Sequence, residues 1–142
     1  MNMMEMLLAL LSVVFFTSVA ANYNRKMLDQ NAYMINATQY VQASQLCHTV
    51  LDEIDAKLFA KMISFASVKT TYANLNRTID LAFPGDVYKL NIKAVDCDSL
   101  GIPLSTPVSN NLWIRVEVTA TTPGLKVPAK LQRVYTKTYL NL

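Results

Sequence analysis

The chain has 142 residues, 52% of them hydrophobic, with a formal net charge of +3 and a mean hydropathy of +0.22. That length suits one ordinary domain. The small, dispersed charge excludes a basic block built for nucleic acid, and two cysteines with one histidine are too few for a zinc-binding pattern.

The first 83 residues contain neither glycine nor proline; all three glycines and all five prolines lie in the remaining 59. Helix breakers are therefore confined to the C-terminal part, which predicts one long helix followed by a strand-rich region. Residues 6–21, MLLALLSVVFFTSVAA, carry no charge and only three hydroxyl groups. Apolar character all round a helix suits a lipid-facing or fully enclosed position. From Met1 to Asn24 such a helix is about 36 Å long. Met1, Met3 and Met4 extend an apolar run otherwise short of the roughly 20 residues of a membrane span.

From Asn22 the pattern becomes amphipathic. Cys47, Val50, Leu51, Ile54, Leu58, Met62 and Phe65 recur at steps of three and four, which predicts one continuous helical face. Asp52, Glu53, Asp55, Lys57 and Lys61 mostly fall on other faces. The stretch from Asn31 to Gln45 is weakly hydrophobic and rich in Ala, Asn, Gln and Tyr, which suits packing against helices of neighbouring copies. An unbroken helix to about residue 62 runs roughly 90 Å, longer than a globule of this size is wide.

Beyond it the period changes to two. Ile79, Leu81 and Phe83 alternate with polar residues, as do Tyr88, Leu90, Ile92 and Ala94, and then Leu112, Ile114, Val116 and Val118. Turns are expected at Pro84-Gly85-Asp86 and Pro123-Gly124. A last strand around Leu131 to Leu140, carrying Arg133 and Lys137 with Lys130 just before it, suits an edge or exposed face. The expectation is an α+β fold: a long N-terminal helix whose C-terminal half packs on a small antiparallel sheet of about four strands. Its divisions are an apolar helix at 1–30, an amphipathic continuation at 31–65 and a β-rich head at 66–142.

Glu5 is the one charged side chain among the first 24 residues. An ionised carboxylate at the centre of a span costs about 3 kcal/mol or more. It calls for a positive partner, and the α-amino group of a chain start at Met1, with a pKa near 8, is one. In a stacked bundle the Glu5 of one subunit would meet the ammonium of the next and set axial register. The alternative is a Glu5 at the membrane edge, in contact with water.

Residues 1–24, MNMMEMLLALLSVVFFTSVAANYN, resemble the mature N-terminus of type IV pilins and pseudopilins, with Glu5 at the family's glutamate position. ASQLCHTVLDEIDAKLF and NNLWIRVEVTATTPG resemble, more loosely, the helix and the penultimate strand and turn of such heads. The resemblance implies a helix half buried in a filament core, a globular β head, and a processed, N-methylated start after removal of a charged leader. Departures are Met1 for the commoner phenylalanine, and Val14 and Asn22 where many members carry glycine and proline. The helix is therefore expected to be more continuous here.

Function then follows as an expectation: a structural subunit rather than an enzyme, with no catalytic residue, cofactor or metal. Its partners are further copies of itself in a helical filament, the inner membrane before assembly, and a pilus or secretion assembly machinery. Its final place is an extracellular filament at the cell surface. A pseudopilin of a type II secretion system and a membrane-anchored binding domain are the alternatives. A cleaved secretory signal ending near Ser18-Val19-Ala20-Ala21 lacks the required basic n-region. Arg25 and Lys26, just past the apolar run, favour a cytoplasmic location for that end unless a leader carries more positive charge.

Cys47 shares the Leu51, Ile54 and Leu58 face, and Cys97 ends the second strand. Export would let them form a disulfide stabilising the head by roughly 3–4 kcal/mol, the alternative being two buried thiols. His48 has no acidic or hydroxyl partner at catalytic spacing. Asn36-Ala-Thr38 and Asn76-Arg-Thr78 match the N-glycosylation pattern. Phe15, Phe16, Tyr23, Tyr33 and Tyr40 are read as interhelical packing rather than an electron-conducting path.

Overall fold

The computed structural model of the protein describes residues 2–81, 86–106 and 111–140. Helix α1 runs Met3–Phe59, α2 Phe65–Thr71 and α3 Lys137–Leu140; the strands are β1 Leu75–Asp80, β2 Val87–Asp96, β3 Trp113–Thr121 and β4 Ala129–Thr136. The chain divides into two compact units, Met1–Ala37 and Thr38–Leu142. The expected architecture, a long N-terminal helix and a four-stranded antiparallel sheet in the C-terminal half, is the one observed.

In the first unit, α1 opens with Asn2 as its N-cap. The Asn2 carbonyl accepts from the Glu5 and Met6 amides at 2.8 and 3.2 Å. Residues 2–35 are all exposed.

The second unit contains the core. On α1, Gln39, Ala43, Cys47, Val50, Leu51, Ile54 and Leu58 are buried. They recur at helical spacing and face a sheet in the order β1-β2-β3-β4. Strand alternation supplies the inner face in rows. Leu75, Ile92, Val118 and Leu131 are register partners across all four strands, and Arg77, Leu90, Ala120 and Ala129 form the next row. Tyr88, Leu90, Ile92, Ala94, Ile114, Val116, Val118 and Ala120 are buried here, so the period-two reading of the middle strands holds. Pro123-Gly124 does turn the chain between β3 and β4, and the Leu125 amide donates to the Thr122 carbonyl at 3.0 Å. Gly124 lies close to α1: a Cβ there would stand 2.5 Å from Gln39 Oε1 and push that side-chain amide aside.

Four expectations are corrected. The helical face does not continue through Met62 to Phe65: α1 ends at Phe59 and Met62 is 73% exposed. Lys61 adopts φ 54. The Met62 amide donates to Lys57 O at 2.9 Å and the Lys61 amide to Leu58 O at 3.0 Å, the paired bonds of a Schellman stop. A lysine thus ends the helix where glycine is usual. Second, Phe65 is buried from a separate helix, α2, whose N-cap Ser64 accepts from the Ser67 amide at 3.2 Å. Third, the first strand is Leu75–Asp80, ahead of the expected 79–83 alternation; Phe83, Pro84 and Gly85 lie outside the described residues, and Leu112 precedes β3, 43% exposed. Fourth, the last strand stops at Thr136 rather than Leu140 and passes into α3, where the Lys137 amide donates to Leu112 O at 3.0 Å.

A non-glycine residue in the left-handed region carries a steric cost that glycine avoids. Lys61→Gly should raise head stability by about 0.5–1 kcal/mol, measured as a higher urea midpoint with an unchanged slope.

Candidate assembly site on the N-terminal helix

The apolar segment carries an uninterrupted exposed hydrophobic surface. Leu7, Leu8, Leu10, Leu11, Val13, Val14, Phe15 and Phe16 are each more than half exposed. The three hydroxyl groups within it are satisfied by the helix itself. Ser12 Oγ donates to Leu8 O, Thr17 Oγ1 to Val13 O and Ser18 Oγ to Val14 O, each at 2.8 Å. No polar side chain there needs water, which is the condition for entering lipid or a dry helix bundle. This helix is long and apolar enough to cross a membrane.

Glu5 stands at the start of that surface. Its carboxylate accepts from the Asn2 backbone N–H at 3.0 Å, the N3-to-N-cap half of a capping box. The helix N-terminus also favours a negative charge there. Glu5 therefore has a local partner within its own helix. Met1, the expected source of the counter-charge, lies outside the described residues. Immediately beyond, Met6, Ala9, Leu10 and Val13 border a shallow, open apolar depression on the helix surface. Their spacing, i, i+3, i+4 and i+7, is that of the four residues forming a hole for a facing helix's knob. The small Ala9 between larger neighbours was the available sequence signal.

The expected Cys47–Cys97 disulfide is not formed: both are buried free thiols. Cys47 Sγ lies 3.7 Å from Val118 O and 3.9 Å from Ala129 O. Cys97 lies at the far end of β2, its amide donating to Trp113 O at 3.3 Å. Five residues of β3 separate those two levels, about 16 Å along a strand, against a bonding limit near 7 Å between Cα atoms. Parity gave a warning. The buried residues of β2 facing the helix are even-numbered, from Tyr88 to Asp96, whereas Cys97 is odd. Burial pushes the Cys47 thiol up to about 11 and raises that of Cys97 as well. Native protein should therefore resist a thiol reagent at neutral pH, and unfolding without reductant should release two reactive thiols per chain. A mass shift on reduction would contradict this.

In the head, α1 is tied to both edge strands by ion pairs. Glu53 receives Arg77 of β1 through two nitrogens, at 2.7 and 3.3 Å, and also Lys57. On the opposite edge, Arg133 of β4 pairs with Asp52 at 3.1 Å and with Asp55. The last strand is an edge strand, one of the two placements its charges suited; within it Arg133 points inward because it shares alternation with Leu131 and Tyr135, and Val134 takes the outer face. Tyr135 donates to Leu51 O at 3.3 Å and Tyr88 to Gln42 at 2.8 Å. Lys69 of α2 pairs with the buried Asp96. His48 is exposed, and among the described residues no three His, Cys, Asp or Glu side chains are grouped to hold a metal ion.

Hydrogen bonds from Arg77 and Lys57 hold the Glu53 carboxyl down at about 2. A depressed folded pKa stabilises the fold above the ordinary carboxylate range near 4.3, and that contribution disappears as pH falls toward 2. The pair is partly exposed, so its value is about 0.5–1 kcal/mol. Arg77→Gln should lower stability by that amount at pH 7 and flatten the loss between pH 4.5 and 2, measured by urea unfolding across pH.

Compared with known proteins, the chain matches no protein-family model, no curated protein and no solved structure.

Proposed function

We propose that the protein is the structural subunit of a type IV pilus-like filament. The observation that carries this reading is the N-terminal helix: an exposed apolar surface with satisfied hydroxyls, a shallow apolar depression and an acid at its start. A second feature supports it. From Gln30 to Leu51 the helix contains no Asp, Glu, Lys or Arg, so its continuation also suits contact with other helices under limited water.

In this reading the subunit resides in the inner membrane through the apolar helix and then enters an extracellular filament. Helices of residues 1 to about 55 form the filament core and the heads its surface. Lipid contact is exchanged for helix–helix contact, so close packing and polar register, rather than hydrophobic transfer, favour assembly. Glu5 sets the register by meeting a positive charge of the adjacent subunit, for which the amine at Met1 is the candidate. Its hydrogen bond to Asn2 is compatible with this, because a carboxylate has a second oxygen with which to accept.

Filament yield, seen by electron microscopy and set against head unfolding, tests the mechanism. Removing one partner of a desolvated pair costs about 3 kcal/mol or more, so Glu5→Ala should cut yield at least tenfold while leaving the head midpoint unchanged. Glu5→Gln retains an acceptor for the Asn2 amide but no charge, and should fail equally. Normal filaments from Glu5→Gln alone would make Glu5 a helix cap and reject the register mechanism. A monodisperse, detergent-soluble wild-type monomer at high concentration would instead favour a membrane-anchored binding domain.

A further inference from the structure

The first two charged positions of the chain bracket the apolar segment. Glu5 and Arg25 are twenty residues apart with no charge between them, and α1 is helical throughout that interval. Twenty residues of α-helix measure about 30 Å, the thickness of a bilayer's hydrocarbon core. At the second boundary stand Tyr23, 63% exposed, and the exposed Arg25 and Lys26. Asp29 lies three and four residues beyond them, at the spacing that closes ion pairs on a helix, yet neither basic residue is ion-paired among the described residues. Both cationic ends are therefore available to another anion.

We infer that Tyr23, Arg25 and Lys26 form an interfacial anchor for anionic phospholipid, which fixes how deeply the subunit sits in the membrane before assembly. The inference rests on the reading that this helix enters a membrane. The Tyr23 ring lies at the interface, where an apolar body with a polar tip is stable. The Arg25 guanidinium and Lys26 ammonium extend along the helix surface to the headgroup phosphates. Asp29 falls about one helical turn farther out, on the water side. The same ruler places Glu5 in the opposite headgroup layer. The pre-assembly subunit thus leaves neither end charge in hydrocarbon, and Glu5 becomes desolvated only when neighbouring subunits close around it.

The test uses the full chain. In flotation with phosphatidylcholine vesicles it should rise with the lipid. A chain that stays in the aqueous fraction overturns both this inference and the membrane reading beneath it. In detergent micelles, native mass spectrometry should show bound phosphatidylglycerol over phosphatidylcholine by about tenfold, as expected for two basic groups near an anionic surface. Arg25→Gln/Lys26→Gln should bring that ratio close to one and still float. Lys89→Gln/Lys93→Gln, which removes two exposed charges from the head sheet, should leave the ratio unchanged. Equal binding of the two lipids by the wild type, or selectivity surviving in the Arg25/Lys26 variant, overturns the anchor alone. Inorganic phosphate should not displace the bound lipid at matched ionic strength; displacement would make this a phosphate site rather than a lipid anchor.

Discussion

The head depends on one stripe of one helix. Ala43, Cys47, Val50, Leu51, Ile54 and Leu58 cover the inner face of a four-stranded meander, and the register rows of that face are set by strand alternation. A one-residue slip in any strand would exchange its buried set for its solvent set. The ion pairs occupy the margins of this contact. Arg77 and Arg133 sit at inward-facing positions on the two edge strands, where an apolar side chain would be only half covered. Each places its charge beside carboxylates on the flank of the helix. Apolar burial supplies most of the attraction, and the marginal charges restrict how the helix lies across the strands.

Much of this was legible because the relevant periods are long. A glycine- and proline-free run of 83 residues announces a helix, and Tyr88 to Ala94 and Ile114 to Val118 announce strands with one buried face. Legibility failed where a local stop competed with periodicity. Met62 and Phe65 continue the helical spacing numerically, but Lys61 turns left-handed between Phe59 and Phe65 and removes both from that helix. No glycine marked the stop. The edge position of the last strand was legible from its charges, but the inward turn of Arg133 was missed by neglecting its alternation with Leu131 and Tyr135. The disulfide expectation failed by the same neglect, since it counted Cys97 as the end of a strand without counting its parity.

The candidate site divides in the same way. Glu5 and the apolar run are visible as composition. The hollow of Met6, Ala9, Leu10 and Val13 and the link from Glu5 to Asn2 are matters of geometry. Together they describe a helix end able to satisfy its own acid while presenting an exposed apolar surface. Under the proposed function, movement from lipid into a helix bundle gains little from hydrophobicity, because hydrocarbon and helix-bundle interiors are similarly apolar. In that reading the direction of the movement comes from shape and from a few polar contacts.

The two unpaired thiols bear on manufacture as well as on stability. A head held by a stripe of side chains and marginal charges, with Cys47 and Cys97 sealed inside, needs no oxidant and no disulfide isomerase to reach its final form. Ordering of the head is therefore indifferent to the redox state of the compartment in which it occurs.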